Sequence, residues 1–306
     1  MEGYMSNVGE DLMEIAERTK EILGEECYVD VRAVYSCGIA QSGIFIMPLK
    51  GQPCMSTVVG INDMAGYGWD ITEPDECARN LVKMFEENME LLESCGFTKE
   101  CVVWEKVNGL LYPVLMPLKG NGEILSELVY RKELDFAVAY MVRVKPDEER
   151  PWMLVKITKS MFDLWSISKK ELHGIAMENL RKEGLAVVEH KRLADSGYVI
   201  SPEDAAPKGE LETGKIYVLS NSTMYYGAAA ILDMELLKML SGGGKLYILP
   251  IDIHSVLVIK DDKVQEPYCN EVVHMWSGPD SGDTAKFTDH AYCYDGEKNE
   301  LHGCYG

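Results

Sequence analysis

The chain has 306 residues, 46% of them hydrophobic and 26% charged, enough to bury a sizeable core in one large domain or two. Fifty acidic against 30 basic residues give a net charge of −20, and residues 1 to 100 hold 19 acidic and 7 basic side chains, a net of −12. That balance excludes direct nucleic-acid binding through clustered Lys and Arg, and no run of about 18 apolar residues exists to cross a membrane.

The opening MEGYMSNVGEDLMEIAERTK lacks the basic and apolar regions of a signal peptide, so a cytoplasmic location is expected. Nine cysteines without a CxxC pair then read as reduced, mostly buried small hydrophobes. Asn7 with Glu10 has the pattern of a capping box, and Leu12, Ile15, Ala16, Ile22 and Leu23 form the stripe of a helix ending near Gly24. Tyr28 to Tyr35 and Gly43 to Pro48 predict a hairpin, and Met55 to Ile61 a further strand. Thr72 and Pro74 open a long helix with Cys77, Leu81, Met84, Phe85, Leu91 and Leu92 on one face, closed by Gly96. Cys101 to Val107 and Leu110 to Leu118 flank Asn108-Gly109 and predict a second hairpin. Pro113 and Pro117 place its second strand at a sheet edge.

The Gly- and Asn-containing stretch from Lys119 to Glu123 suggests a division into an acidic N-terminal α+β lobe, residues 1–130, and a C-terminal α+β lobe, residues 131–306. In the second lobe Phe136 to Val144 and Trp152 to Ile157 predict a hairpin, with a short helical or irregular segment about Phe162, Leu164 and Trp165. Ser168 and Glu171 cap a helix carrying Leu172, Ile175, Ala176 and Leu180 and ending at Gly184. Residues 185–214 read as a surface connection. Ile216 to Ser220 predicts a strand ended by Asn221-Ser222, and Tyr226 to Leu232 a second one. The near absence of side-chain bulk from Gly227 to Ala230 predicts a close backbone approach. Asp233 caps a helix with Leu236, Leu237 and Leu240, and Gly242 to Gly244 stop it. Leu246 to Leu249 and Ser255 to Ile259 predict two strands, Ser277 to Asp283 a loop, and a last strand pair turns about Asp295-Gly296. The fold class is α+β, with mixed, mainly antiparallel sheets, flanking helices and hairpin-then-helix blocks near 28–95, 136–182 and 216–240.

From Asp135 onward a set of motifs recurs in order: Asp135 to Val138 (DFAV), Trp165 to Leu172, Tyr217 to Asn221 (YVLSN), Gly227 to Leu232, Leu246 to His254 and His290 to Asp295. In these the chain resembles a large family of domains of unknown function, common in Gram-positive gut anaerobes and often encoded with mobile elements. The resemblance implies no activity. The chain departs from that pattern at Lys159 and Met161, where the family tends to have Asn and His, and at Asn179-Leu-Arg, where it has Asn-Thr-Pro.

No catalytic residue, metal site or cofactor is assigned from the sequence. Gly244-Lys245 is no phosphate loop, because the glycines follow a helix and Leu246 stands where a Walker loop has Ser or Thr. His290, Cys293, His302 and Cys304 have ligand-type side chains, but strand alternation turns His290 away from the other three. Trp165, Phe162 and the methionines read as packing. Ligand-binding candidates are Asn221, Tyr225, Tyr226 and His254, gathered at the ends of predicted strands, where Asn221 and His254 also suit turn backbone groups. The sequence is thus read as a non-catalytic cytoplasmic binding or regulatory protein. Its expected partner is a protein with a basic surface, as for an acidic, phosphate-mimicking inhibitor of a nucleic-acid-handling or defence enzyme. The alternative is a small-molecule enzyme or ligand-binding protein with a cleft at those four residues.

Overall fold

Stretches with apolar spacing near 3.6 and near 2 residues alternate along the chain, and such spacing gives a helix or a strand an apolar face to bury. A computed structural model describes residues 2–36, 39–49, 56–97, 102–145, 152–195, 201–250, 252–261, 263–276 and 287–305. In chain order the first elements are α1 (Glu2–Leu23), β1 (Cys27–Ser36), β2 (Ile39–Pro48), β3 (Thr57–Gly60), α2 (Ile61–Gly66), α3 (Pro74–Ser94) and α4 (Trp104–Val107). Then come β4 (Leu111–Pro117), α5 (Gly122–Glu127), β5 (Tyr130–Glu133), β6 (Phe136–Val144), β7 (Met153–Lys156), α6 (Lys159–Asp163) and α7 (Lys169–Glu183). The remainder are β8 (Leu185–Glu189), α8 (His190–Asp195), α9 (Pro202–Ala205), β9 (Ile216–Asn221), a 3-10 segment (Gly227–Leu232), α10 (Met234–Ser241), β10 (Lys245–Pro250), β11 (Val256–Ile259), α11 (Glu266–Trp276), β12 (Tyr292–Asp295) and β13 (Glu300–Gly303). The fold is α+β, and the described strand pairings are antiparallel.

The chain divides into two compact units. The first comprises Met1–Asn108 and Arg143–Trp165, the second Gly109–Val142 and Ser166–Gly306. In the first, strands in the order β1-β2-β3 form a sheet. Leu12, Ile15 and Ala16 of α1 and Cys77, Leu81 and Phe85 of α3 close a core with Ile44, Ile46 and Val59 of that sheet. In the second, six strands run β13-β12-β10-β11-β9-β8. One core of that unit joins Val218, Tyr247, Leu249 and Leu257 from the sheet to Cys269 and Val273 of α11. Within the same unit β4 and β5 flank the part of β6 from Phe136 to Val142, all of it buried.

The end signals of two helices are met. Ser168 caps α7, its hydroxyl accepting from the Glu171 N–H at 3.1 Å, and Gly184 ends that helix at φ 106°. Ser168→Ala is expected to lower stability by about 1 kcal/mol, measured by urea unfolding. Asp233 caps α10 through Leu236 N–H at 3.2 Å, and Gly242 stops it in the left-handed region.

Several expectations are corrected. Helix α1 starts at Glu2, so Asn7 lies inside it rather than capping it, and Ile22 of the predicted stripe is 51% exposed. The hairpin about Asn108-Gly109 does not form: Trp104–Val107 is helical and a 3-10 turn spans Asn108–Leu110. Packing decides this, because Trp104 lies 4.9 Å from Trp165 while β4 finds its partner in the buried β6. Residues 185–214 are not a mere connection, since β8 is a strand of the six-stranded sheet, paired with β9. Tyr226 to Leu232 is no strand: Gly227–Leu232 coils as a 3-10 helix with Gly227 to Ile231 buried. Helix α11 was not expected, and the predicted loop Ser277 to Asp283 lies outside the described residues.

Candidate functional site

Strand β9 delivers Asn221 to its end, and the connection between β10 and β11 delivers His254. Asn221 is 0% exposed. Its Oδ1 accepts from the Tyr225 N–H at 3.0 Å and the Thr223 hydroxyl at 3.1 Å, and its Nδ2 donates to the Tyr225 carbonyl at 2.9 Å and Glu183 Oε2 at 3.2 Å. The side chain thereby closes the loop after β9 as a backbone turn would. That loop holds Met224 and Tyr226 at φ 54° and 57°, a left-handed conformation that non-glycine residues adopt only where surrounding contacts impose it.

His254 supplies those contacts from the other side. Its Nδ1 accepts the Tyr226 N–H at 3.1 Å, so the ring proton of the neutral imidazole sits on Nε2. Its carbonyl accepts from the Ser220 hydroxyl at 2.7 Å and the Gly227 N–H at 3.0 Å. Its own N–H donates to Asp252 Oδ1 at 2.6 Å. Burial lowers the His254 pKa, and the Asp252 charge works against that shift. Tyr225 stacks on the imidazole at 5.2 Å and Tyr226 meets it edge-on at 5.1 Å.

The four predicted residues therefore do come together. Their polar atoms are largely spent on backbone: Ser220 turns its hydroxyl to the His254 carbonyl rather than to the ring, so the two do not make a nucleophile and its base. What the cluster offers a ligand is the Nε2–H donor and two half-buried phenol rings.

A second polar cluster in the same unit escaped sequence reasoning. Asp135, in the turn before β6, accepts a short hydrogen bond from the Tyr292 hydroxyl on β12. Burial, and then that bond, push the Tyr292 phenol far above its ordinary pKa. His290 Nδ1 is 2.9 Å from Asp289 Oδ1, while its Nε2 is 3.8 Å from Asp135 Oδ2. The second distance is an ion-pair separation only, too long for a hydrogen bond, and the buried Nε2 has no hydrogen-bond partner among the described residues. Tyr292 and Tyr305 flank the imidazole at 4.8 and 4.7 Å. The sequence signal was a titratable residue heading each of two buried apolar runs, Asp135 before Phe136 and His290 before Ala291. Only the topology brings them together.

In the first unit the acidic bias has a definite location. Glu10, Glu14, Glu17 and Glu21 are exposed along α1 at spacings of three and four residues, which places them in one row. Glu86, Glu87, Glu90 and Glu93 are exposed on α3. Arg18 joins the two helices, contacting Glu14 at 3.6 Å, Glu21 at 3.3 Å and Asp75 at 3.4 Å.

Among the described residues no group of three or more His, Cys, Asp or Glu is placed to hold a metal ion. The described helices include none long and apolar enough to cross a membrane. Comparison with curated proteins and with solved structures found no match. Residues 10–296 match the model of a family of unknown function, DUF5688, and so take in both units. The chain belongs to that family.

Proposed function

We propose that the protein acts in the cytoplasm as a non-catalytic binding protein, its first unit presenting the carboxylates of α1 and α3 to a basic protein surface. The observation that carries this reading is the exposed row Glu10, Glu14, Glu17 and Glu21, continued toward α3 through Arg18 and Asp75. The row works against the helix that bears it. Like charges three and four residues apart repel, a cost that Arg18 offsets in part by pairing with Glu14 and Glu21, and Glu21, followed by Glu25 and Glu26, outnumbers Lys20 at the helix end where the macrodipole favours positive charge. Helix α3 lacks even that counter-charge, with Glu93 and no basic residue in its last turn. Charge arranged at a cost to its own scaffold is better explained by an external partner than by stability.

A groove that binds phosphates is the natural complement, which makes a nucleic-acid-handling enzyme the favoured partner class and inhibition by occupancy the favoured mode. The mobile-element setting that the sequence resemblance implies fits an anti-defence role. The test is affinity capture from the cytoplasm of a related anaerobe at ~0.05 and ~0.5 M salt, with the intact chain and with a variant carrying Gln at 14, 17, 21, 86, 90 and 93. A nucleic-acid-handling enzyme held at low salt, released at high salt and lost with the variant is the expected result. A complex indifferent to salt, or held equally by the variant, overturns the proposal.

A further inference from the structure

We propose that His254 is an acid-sensitive catch on the loop after β9: its neutral ring holds the Tyr226 amide, and a second ring proton releases it. The protonation state follows from the partner. A backbone amide can only donate, and the Tyr226 N–H meets Nδ1 at 3.1 Å, so Nδ1 carries the lone pair and Nε2 the single ring proton. An imidazolium donates from both nitrogens and has no acceptor left for that amide.

What the amide holds is strained. Tyr226 sits at φ 57° and Met224 at φ 54°, a conformation that a non-glycine residue keeps only under restraint. The peptide unit joining Tyr225 to Tyr226 is gripped at both ends, its carbonyl by Asn221 Nδ2 at 2.9 Å and its N–H by His254 Nδ1. The Asn221 grip does not titrate, and neither does the bond from the Gly227 N–H to the His254 carbonyl at 3.0 Å. Only the imidazole grip can be undone by a proton. Release is therefore confined to Tyr226, whose backbone can then leave the left-handed region and take its ring off the edge-on contact with His254 at 5.1 Å.

The groups around the ring set the direction. Burial lowers the His254 pKa, and the Asp252 charge opposes that shift. Asp252 Oδ1 also accepts the His254 N–H at 2.6 Å, which keeps the connection between β10 and β11 in place. Glu183, at the end of α7, reaches Asn221 Nδ2 at 3.2 Å, and the Tyr225 and Tyr226 phenols lie against the imidazole. The folded loop thus binds the neutral ring. The contact is complete above the ordinary imidazole value near pH ~6.5 and is lost as pH falls through the lower folded value.

The test is hydrogen exchange at the Tyr226 amide of the full chain across pH, with ¹⁵N-labelled histidine reporting when the His254 ring gains its second proton. Protection at Tyr226, corrected for the intrinsic exchange rate, is expected to fall ~10-fold or more as His254 titrates, the loss of about one hydrogen bond. Leu219 in β9 and Val258 in β11 should stay protected. His254→Asn puts a non-titrating amide oxygen near the Nδ1 position, and it should keep Tyr226 protected while abolishing the acid step. Protection that survives ring protonation overturns the proposal, as does an acid step unchanged in His254→Asn, which would assign it to Asp252 or Glu183. A ring that stays neutral until the whole chain unfolds overturns it too.

Discussion

Gly227→Ala is expected to lower the unfolding free energy by about 3 kcal/mol or more, a large loss for the addition of one methyl group. A Cβ at this position would sit 2.2 Å from Ser220 Oγ, 2.4 Å from the Asn221 nitrogen and 2.9 Å from the His254 carbonyl oxygen. Two of those atoms are backbone and cannot rotate away. Relief requires moving the 3-10 segment off β9, which also breaks the hydrogen bond from the Gly227 N–H to His254. Urea unfolding measures the effect, and a loss under about 1 kcal/mol would show that the segment shifts cheaply. Gly174→Ala is the matched control. It lies within α7 with nothing within 4 Å of its added Cβ, so the same change there should stabilise by about 0.5–1 kcal/mol.

The next largest effect is expected at Asp233, a buried carboxylate with two duties. It accepts from Arg181 Nε at 2.6 Å and Nη2 at 3.1 Å, and it caps α10 through the Leu236 N–H. Asp233→Ala should cost about 2–3 kcal/mol, roughly 1 from the lost cap and the rest from leaving the guanidinium without its bidentate partner. The pH dependence has a definite sign. Burial by itself would raise the Asp233 pKa, but the Arg181 and Leu236 hydrogen bonds outweigh it and the folded value is lowered. The contribution is therefore present above the unfolded carboxylate value near pH ~4, and it is lost as pH falls through the lower folded value. Unfolding curves of the two proteins should stand apart at pH 7 and converge in acid. A constant difference at every pH would mean that the carboxylate charge contributes nothing.

Where the sequence was legible, its signals were short-range. Ser168, Gly184, Asp233 and Gly242 each act through a bond or a φ angle within a few residues, and each marks its helix end as expected. The close approach at Gly227 was legible for a related reason, because a segment without side chains leaves room for little else. Illegible were the places where a distant partner overrides local preference. Asn108-Gly109 has hairpin chemistry, yet β4 pairs with β6 instead. Tyr226 to Leu232 has the composition of a strand, but the left-handed turn at Tyr226 and the carbonyls of Ile253 and His254 capture its first N–H groups. The site divides the same way. Asn221, Tyr225, Tyr226 and His254 were named because they border predicted turns, and turns do gather them. Asp135 and Tyr292, 157 residues apart, meet only through the folded chain.

The interleaving of the two units bears on how the gene can change. Because Arg143–Trp165 belongs with the N-terminal stretch while Gly109–Val142 belongs with the C-terminal one, no single crossover between related genes can transplant either unit whole. A ribosome, likewise, has made part of the second unit before it finishes the first. The halves are thus bound to be inherited together, and residues 10–296 match one family model as a single piece.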